Sequence, residues 1–340
     1  MLSTKEGNIH IIIKLLSSFW VDVNFISEND MNLSPLALAA LKGHEKVIEL
    51  LLDKGAEPNL ALPSWQAEQE GCTALHLASL LGHKNVAKLL LQGGADPNIA
   101  DGVGATPLFD AATEGHKDLV QLLLDKGAEL NMTSTEPLGT TPLHCAVSKG
   151  HNDVVKLLLD KGAEPNMANQ NGCTPLHYAS SEGHEDVVQL LLLGGSEPNM
   201  IDHSGFTPLN TAAYYGLKDV VHFLLVGGAL PNIANNDGIT PLLYAAHKGH
   251  KDMVQLLLNA GAEPNIADGN GGTPLHLACH EGHKDVVQLL LDGGAQPNTA
   301  NNTGRTPLHN AAHKGHMSVV KLLLSRGAKH KPLEYSAKFQ

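Results

Sequence analysis

A chain of 340 residues with 42% hydrophobic but only 4% aromatic residues can build a continuous core from Leu, Val and Ala rather than from rings. Its formal net charge of −12 excludes the broad basic footprint that DNA or RNA binding needs, since phosphate contact rests on clustered Lys and Arg. Cys72, Cys145, Cys173 and Cys279 lie far apart without C-x-x-C spacing, so neither a zinc site nor a disulfide framework is expected, and a reducing compartment, cytoplasm or nucleus, is the default.

In chain order, the apolar run from Ile9 to Leu16 is interrupted by His10 and Lys14 and follows no basic leader, so it reads as a helix of a degenerate unit over Gly7 to Asn24. No stretch is long enough to span a bilayer, and no membrane insertion is expected. A T-P-L-like tetrad then recurs, its leucines at Leu36, Leu75, Leu108, Leu143, Leu176, Leu209, Leu242, Leu275 and Leu308. From Leu143 onward every interval is 33 residues, while the earlier ones are 39, 33 and 35. Extra residues therefore enter between units, around Pro63-Ser64-Trp65 and Ser134-Thr135-Glu136. The expected organisation is a degenerate unit over 1–28, nine units over 29–333 with insertions near 60–71 and 132–140, and a tail over 334–340.

One unit, Asn169 to Ile201, reads NQNGCTPLHYASSEGHEDVVQLLLLGGSEPNMI. Thr174 suits an N-cap, Pro175 the first helical position and Gly183 a left-handed helix end. A second helix over Glu185 to Leu193 carries Val187, Val188, Leu190, Leu191 and Leu192, apolar on more than one face, so neighbouring units must bury it. Gly194-Gly195 breaks it, and a polar loop leads into the next unit. Helices this short are marginal in isolation, so stacking must supply their stability.

Nine such units in phase, each with a TPLH-like tetrad and most with a Gly-His between the helices, resemble the ankyrin-repeat family over nearly the whole chain. The resemblance implies an all-α solenoid of stacked helix-turn-helix units with β-hairpin-like loops. It also implies a non-catalytic scaffold or adaptor that binds a partner protein through a concave groove and hairpin tips. The alternative is a recruiting module or a piece of a larger assembly, such as an effector, a ubiquitin-ligase receptor or a channel domain. No cofactor is called for. The acidic balance favours a neutral or basic protein partner and no nucleic acid, with the chain a monomer.

Thirteen of the twenty histidines fall at two repeat phases, the tetrad (His76, His144, His177, His276, His309) and the position after the inter-helix glycine, where the family uses them structurally. The H-x-x-H pairs His247/His250, His280/His283 and His313/His316 straddle a helix-ending glycine and make poor chelators. His144-Cys145 sets a base beside a nucleophile, but consecutive helical residues do not face each other, so no catalytic residue is assigned and no metal ligand. In the family, recognition residues are the hairpin tips and the two residues before the Gly-His. On this chain those positions place Tyr214/Tyr215, His247/Lys248, His280/Glu281 and His313/Lys314 on one face, with Phe206 at a tip; Trp65 in the first insertion is a rival. The repeat of Tyr214 also departs from the pattern, with Asn210 for the tetrad His and Leu217 for the second. Hydroxylation at the hairpin asparagines, Asn59 through Asn298, is a further property of the family. The tail residues Leu333, Tyr335 and Phe339 are expected to cap the last unit, the alternative being that the array continues or dimerises there.

Overall fold

The computed structural model describes residues 22–26, 32–63, 70–135 and 139–330, and the chain divides into two compact units, Met1–Asn171 and Gly172–Gln340. Eighteen α-helices and no strand occur among the described residues. In the first unit they are α1 Pro35–Leu41, α2 Glu45–Asp53, α3 Ala74–Leu80, α4 Lys84–Gln92, α5 Pro107–Thr113, α6 Lys117–Asp125, α7 Pro142–Ser148 and α8 Asn152–Asp160. In the second they are α9 Pro175–Glu182, α10 Glu185–Leu193, α11 Pro208–Tyr215, α12 Lys218–Val226, α13 Pro241–Lys248, α14 Lys251–Asn259, α15 Pro274–Glu281, α16 Lys284–Asp292, α17 Pro307–His313 and α18 Met317–Ser325. Each pair is an antiparallel hairpin, and within each unit odd helices pack on odd and even on even. None is long and apolar enough to cross a membrane. The degenerate unit up to Val21, Trp65 and the tail from Lys331 lie outside the described residues.

The first helix of each pair starts from an extended Ser or Thr, with proline at its first position in all but α3. Thr174 sits at φ −89°, ψ 167°, forms a capping box with His177, and α9 ends at Gly183 with φ 77°. The second helices bury a narrower face than the sequence suggests. In α10, Val187, Val188 and Leu191 are buried, Leu190 and Leu192 only partly, and Leu193 is 87% exposed. Each second helix packs on its own first helix and on a neighbouring second helix of its unit, which leaves the outer face to water. On α18, Met317 and Leu324 are exposed for the same reason.

Side chains at fixed phases weld each pair to the next. Asn265 Nδ2 donates to Gly294 O at 3.1 Å, and its Oδ1 accepts from Gln296 N at 2.8 Å. Asn98, Asn199, Asn232 and Asn298 repeat both bonds one period along their own units. This double tie explains an asparagine after the proline of each PN pair and engages the amides that a hydroxylase would have to reach. Each such bond to backbone contributes on the order of 1 kcal/mol, less where water competes. Asn265→Ala is expected to lower the stability of its unit by about 1 kcal/mol in urea denaturation followed by circular dichroism; an unshifted midpoint would show the tie to be passive. On the outer side, Lys84 meets Asp118 at 3.2 Å and Lys218 meets Asp252 at 3.4 Å, exposed pairs that add at most ~1 kcal/mol each.

The loops end in tight tips without strand pairing. Asp101 N donates to Ala105 O and Asp202 N to Phe206 O, both at 2.9 Å, with the aspartate Oδ1 accepting further tip amides. Successive tips join by single backbone bonds such as Asn236 N to Ser204 O at 3.1 Å and Gly269 N to Asp237 O at 3.0 Å. In the longer tips the closing bond runs instead from Leu62 N to Cys72 O and from Ser134 N to Thr140 O.

Candidate interaction site

The framework histidines act as rigid struts. At the tetrad, Thr73 N–H donates to His76 Nδ1 at 3.1 Å, and His76 Nε2–H donates to Ala105 O at 3.1 Å, which fixes one neutral tautomer. His177 makes the same pair of bonds to Thr174 and Phe206, and His276 to Thr273 and Arg305. Burial holds all three imidazoles below their ordinary basicity. At the second phase, His283 Nε2 donates to His247 O at 3.1 Å and His316 Nε2 to His280 O at 3.0 Å. Those rings are thus occupied with the backbone of the preceding repeat, and the carbonyl that they hold belongs to a residue of the recognition pair.

Where the histidines are missing, other side chains replace them. Asn210 Oδ1 accepts from Thr207 N at 3.0 Å and from Thr207 Oγ1 at 2.6 Å, while its Nδ2 donates to Ile239 O at 3.2 Å, spanning the route of a tetrad histidine. Leu217 packs its methyl groups over Gly183 as the second histidine does elsewhere. The vacated volume is filled by these two residues, and Tyr214 and Tyr215 stand 46% and 58% exposed at the end of α11.

The two tyrosines belong to an aromatic group. Tyr214 meets Tyr215 edge to face at 5.1 Å and Tyr244 edge to face at 5.3 Å, and Phe206 lies 5.9 Å from Tyr244. Such pairs prefer tilted or edge-to-face geometry and hold one another in place. Tyr244 Oη accepts from Asn235 Nδ2 at 3.2 Å, and Phe206 is fixed through its backbone by His177 and Asp202. Beside this group opens a cleft of about 310 Å³ lined by Tyr178, Phe206, Thr211, Tyr214, Tyr215 and Asp202, with smaller polar residues between. Its cause is local: Tyr178, Thr211 and Tyr244 share one repeat position, and the short threonine between two tyrosines leaves the gap. Tyr178 and Tyr244 escape a search confined to the residues before Gly-His; the signal that finds them is the residue directly after each tetrad.

Of the other expected site residues, His247, His280 and Glu281 come together: Glu281 Oε1 lies 2.6 Å from His280 Nδ1 and 3.9 Å from His247 Nδ1. The His280 hydrogen bond, aided by the surrounding imidazoles, holds the Glu281 carboxyl below its usual range. Lys248 is exposed beside His247, and His313 and Lys314 are exposed at the end of α17. The cysteines are free, with burial pushing the Cys72 thiol up to about 12 and Cys145 to about 11. Cys145 packs beside Ala105 and Phe109 in the core.

Family models describing ankyrin repeats match residues 61–134, 131–202, 191–268 and 260–332, and a single-repeat model matches 31–61. The chain belongs to the ankyrin-repeat family. Among curated proteins no match accompanies it. Ankyrin repeats are in general protein-interaction modules, and ankyrin-repeat proteins are typically scaffolds without catalysis. In this ankyrin-repeat protein the framework is regular, and the aromatic group around Tyr214 is the local departure from it.

Proposed function

We propose that this ankyrin-repeat protein is a non-catalytic scaffold or adaptor that grips a neutral or basic partner protein on the face carrying Tyr214, Tyr215 and Phe206. His247, Lys248, His280, Glu281, His313 and Lys314 form its polar rim. Trp65 in the first insertion is the rival location for the contact. The supporting observation is a pair of exposed tyrosines braced by Tyr244 at the edge of a cleft. Rigid aromatic anchors of this kind dominate interface energetics, because they bury large area at little entropic cost. The reading places the chain in the cytoplasm or nucleus as a monomer.

The test is affinity capture from cells with the wild type and with a Tyr214→Ala/Tyr215→Ala variant of unchanged melting. Truncating an interface anchor costs about 2 kcal/mol or more, roughly a thirtyfold loss of affinity. Partners that depend on this face should vanish from the variant. If the same proteins are retained and Trp65→Ala loses them, the face is misplaced.

A further inference from the structure

The chemistry of the cleft selects for positive charge. Its floor and walls carry one carboxylate, Asp202, and no Lys or Arg. Asp202 spends Oδ1 on the amides of Ser204 and Phe206, both at 2.8 Å, leaving Oδ2 only a weak thiol contact with Cys173 at 4.0 Å. The hydroxyls contribute acceptors too: Ser181 Oγ donates its proton to Tyr178 O at 3.0 Å and Thr211 Oγ1 to Thr207 O at 3.2 Å. With those protons committed, both oxygens offer lone pairs to an occupant. His177 uses both ring nitrogens on the protein and stays neutral through burial, so it adds no positive charge. Tyr178, Phe206, Tyr214 and Tyr215 supply aromatic surface around these acceptors. An aromatic wall attracts a cation through its quadrupole, and scattered acceptors reward several donors on one flat group.

We propose that the cleft between Tyr178 and Tyr214 receives an arginine side chain of the partner protein, its guanidinium lying against the aromatic wall and donating to Asp202, Ser181 and Thr211. This rests on the interaction face proposed above and names the chemistry that it recognises. A net charge of −12 on the chain favours approach of such a segment. Arginine suits the site better than lysine because its planar fork can stack and donate in several directions at once, whereas an ammonium is a compact and strongly hydrated point.

The full chain, with ring-labelled tyrosine, is titrated by NMR with the capped peptide Gly-Gly-Arg-Gly-Gly and with its lysine and citrulline counterparts. Citrulline keeps the shape and removes the charge. The expected result is saturable movement of the Tyr178, Tyr214 and Tyr215 signals, with a dissociation constant on the order of 1 mM. Citrulline should bind at least about tenfold more weakly, equivalent to ~1.4 kcal/mol, and lysine also more weakly than arginine. Asp202→Asn should reproduce the citrulline loss. It is a mild change, since Asn235 holds the corresponding tip with its Oδ1 on Asp237 N and Ile239 N. No saturable shift, equal binding of citrulline, or equal binding of lysine would overturn the arginine assignment. The face itself is judged separately by whether Tyr214→Ala/Tyr215→Ala loses protein partners, so one idea can fail while the other stands.

Discussion

Gly249→Ala is expected to destabilise the protein by about 2–4 kcal/mol, while Gly261→Ala, an equally left-handed glycine one helix later, costs only about 1–2 kcal/mol. Both sit at positive φ, 77° for Gly249 and 89° for Gly261, so both substitutions carry the strain of a Cβ in that region. The difference lies in what the new Cβ meets. At Gly261 nothing stands within 4 Å, but at Gly249 a Cβ falls 2.7 Å from the His283 ring. That ring cannot simply swing away, because its Nε2 holds His247 O at 3.1 Å. Urea midpoints of the two variants give the comparison, and the double variant Gly249→Ala/His283→Ala should cost less than the sum of its parts because the clash is gone. Equal costs for the two glycines would show that the histidine yields freely. The result bears on the candidate site, since the His283 ring holds the backbone carbonyl of His247, a recognition residue.

This glycine illustrates what the sequence conveys and what it withholds. Helices such as Pro175–Glu182 and Glu185–Leu193 are legible because their signals are local: a capping threonine, a proline at the first turn, a glycine where the chain turns left. That Gly249 is required by His283 is not, because the two meet only through stacking of one repeat on the next. The same holds for Asn265, whose amide reads as a loop residue until Gly294 and Gln296 are seen beside it. At the site, Tyr214, Tyr215 and Phe206 stand out as aromatic residues in an aliphatic chain. The cleft does not, since it depends on a small residue, Thr211, lying between Tyr178 and Tyr244 at one repeat phase. Leu190 and Leu192 show the opposite limit: hydrophobicity alone reads them as part of the buried stripe, yet they are only partly buried.

Acid should loosen the array as the tetrad histidines begin to protonate in the unfolded chain. His76, His177 and His276 are neutral in the fold, each accepting a threonine N–H at Nδ1 and donating from Nε2, and burial lowers their affinity for a proton from the ordinary value of 6.5. In the unfolded chain they protonate normally, so below that pH the unfolded state binds more protons than the folded one. The stability these groups confer is therefore complete above about pH 6.5 and is lost progressively as the pH falls toward their folded values. Each histidine that stays neutral removes up to about 1.4 kcal/mol per pH unit in that window. Glu281, whose carboxyl is held below its usual range, loses its contribution only at more acidic pH, whereas the buried Asp110 carboxyl, pushed well above its usual range, gains stability as the pH falls and offsets part of the loss from the three histidines. Urea midpoints should drop clearly between pH 7.5 and 5.5. Asn210 shows that the same two bonds can be made by a group that does not titrate in this range, with Nδ2 reaching Ile239 O at 3.2 Å. His276→Asn should therefore flatten the slope by the share of one histidine while keeping most of the stability at pH 7.5. An unchanged slope in His276→Asn would mean that this imidazole accepts a proton within the fold, against its geometry.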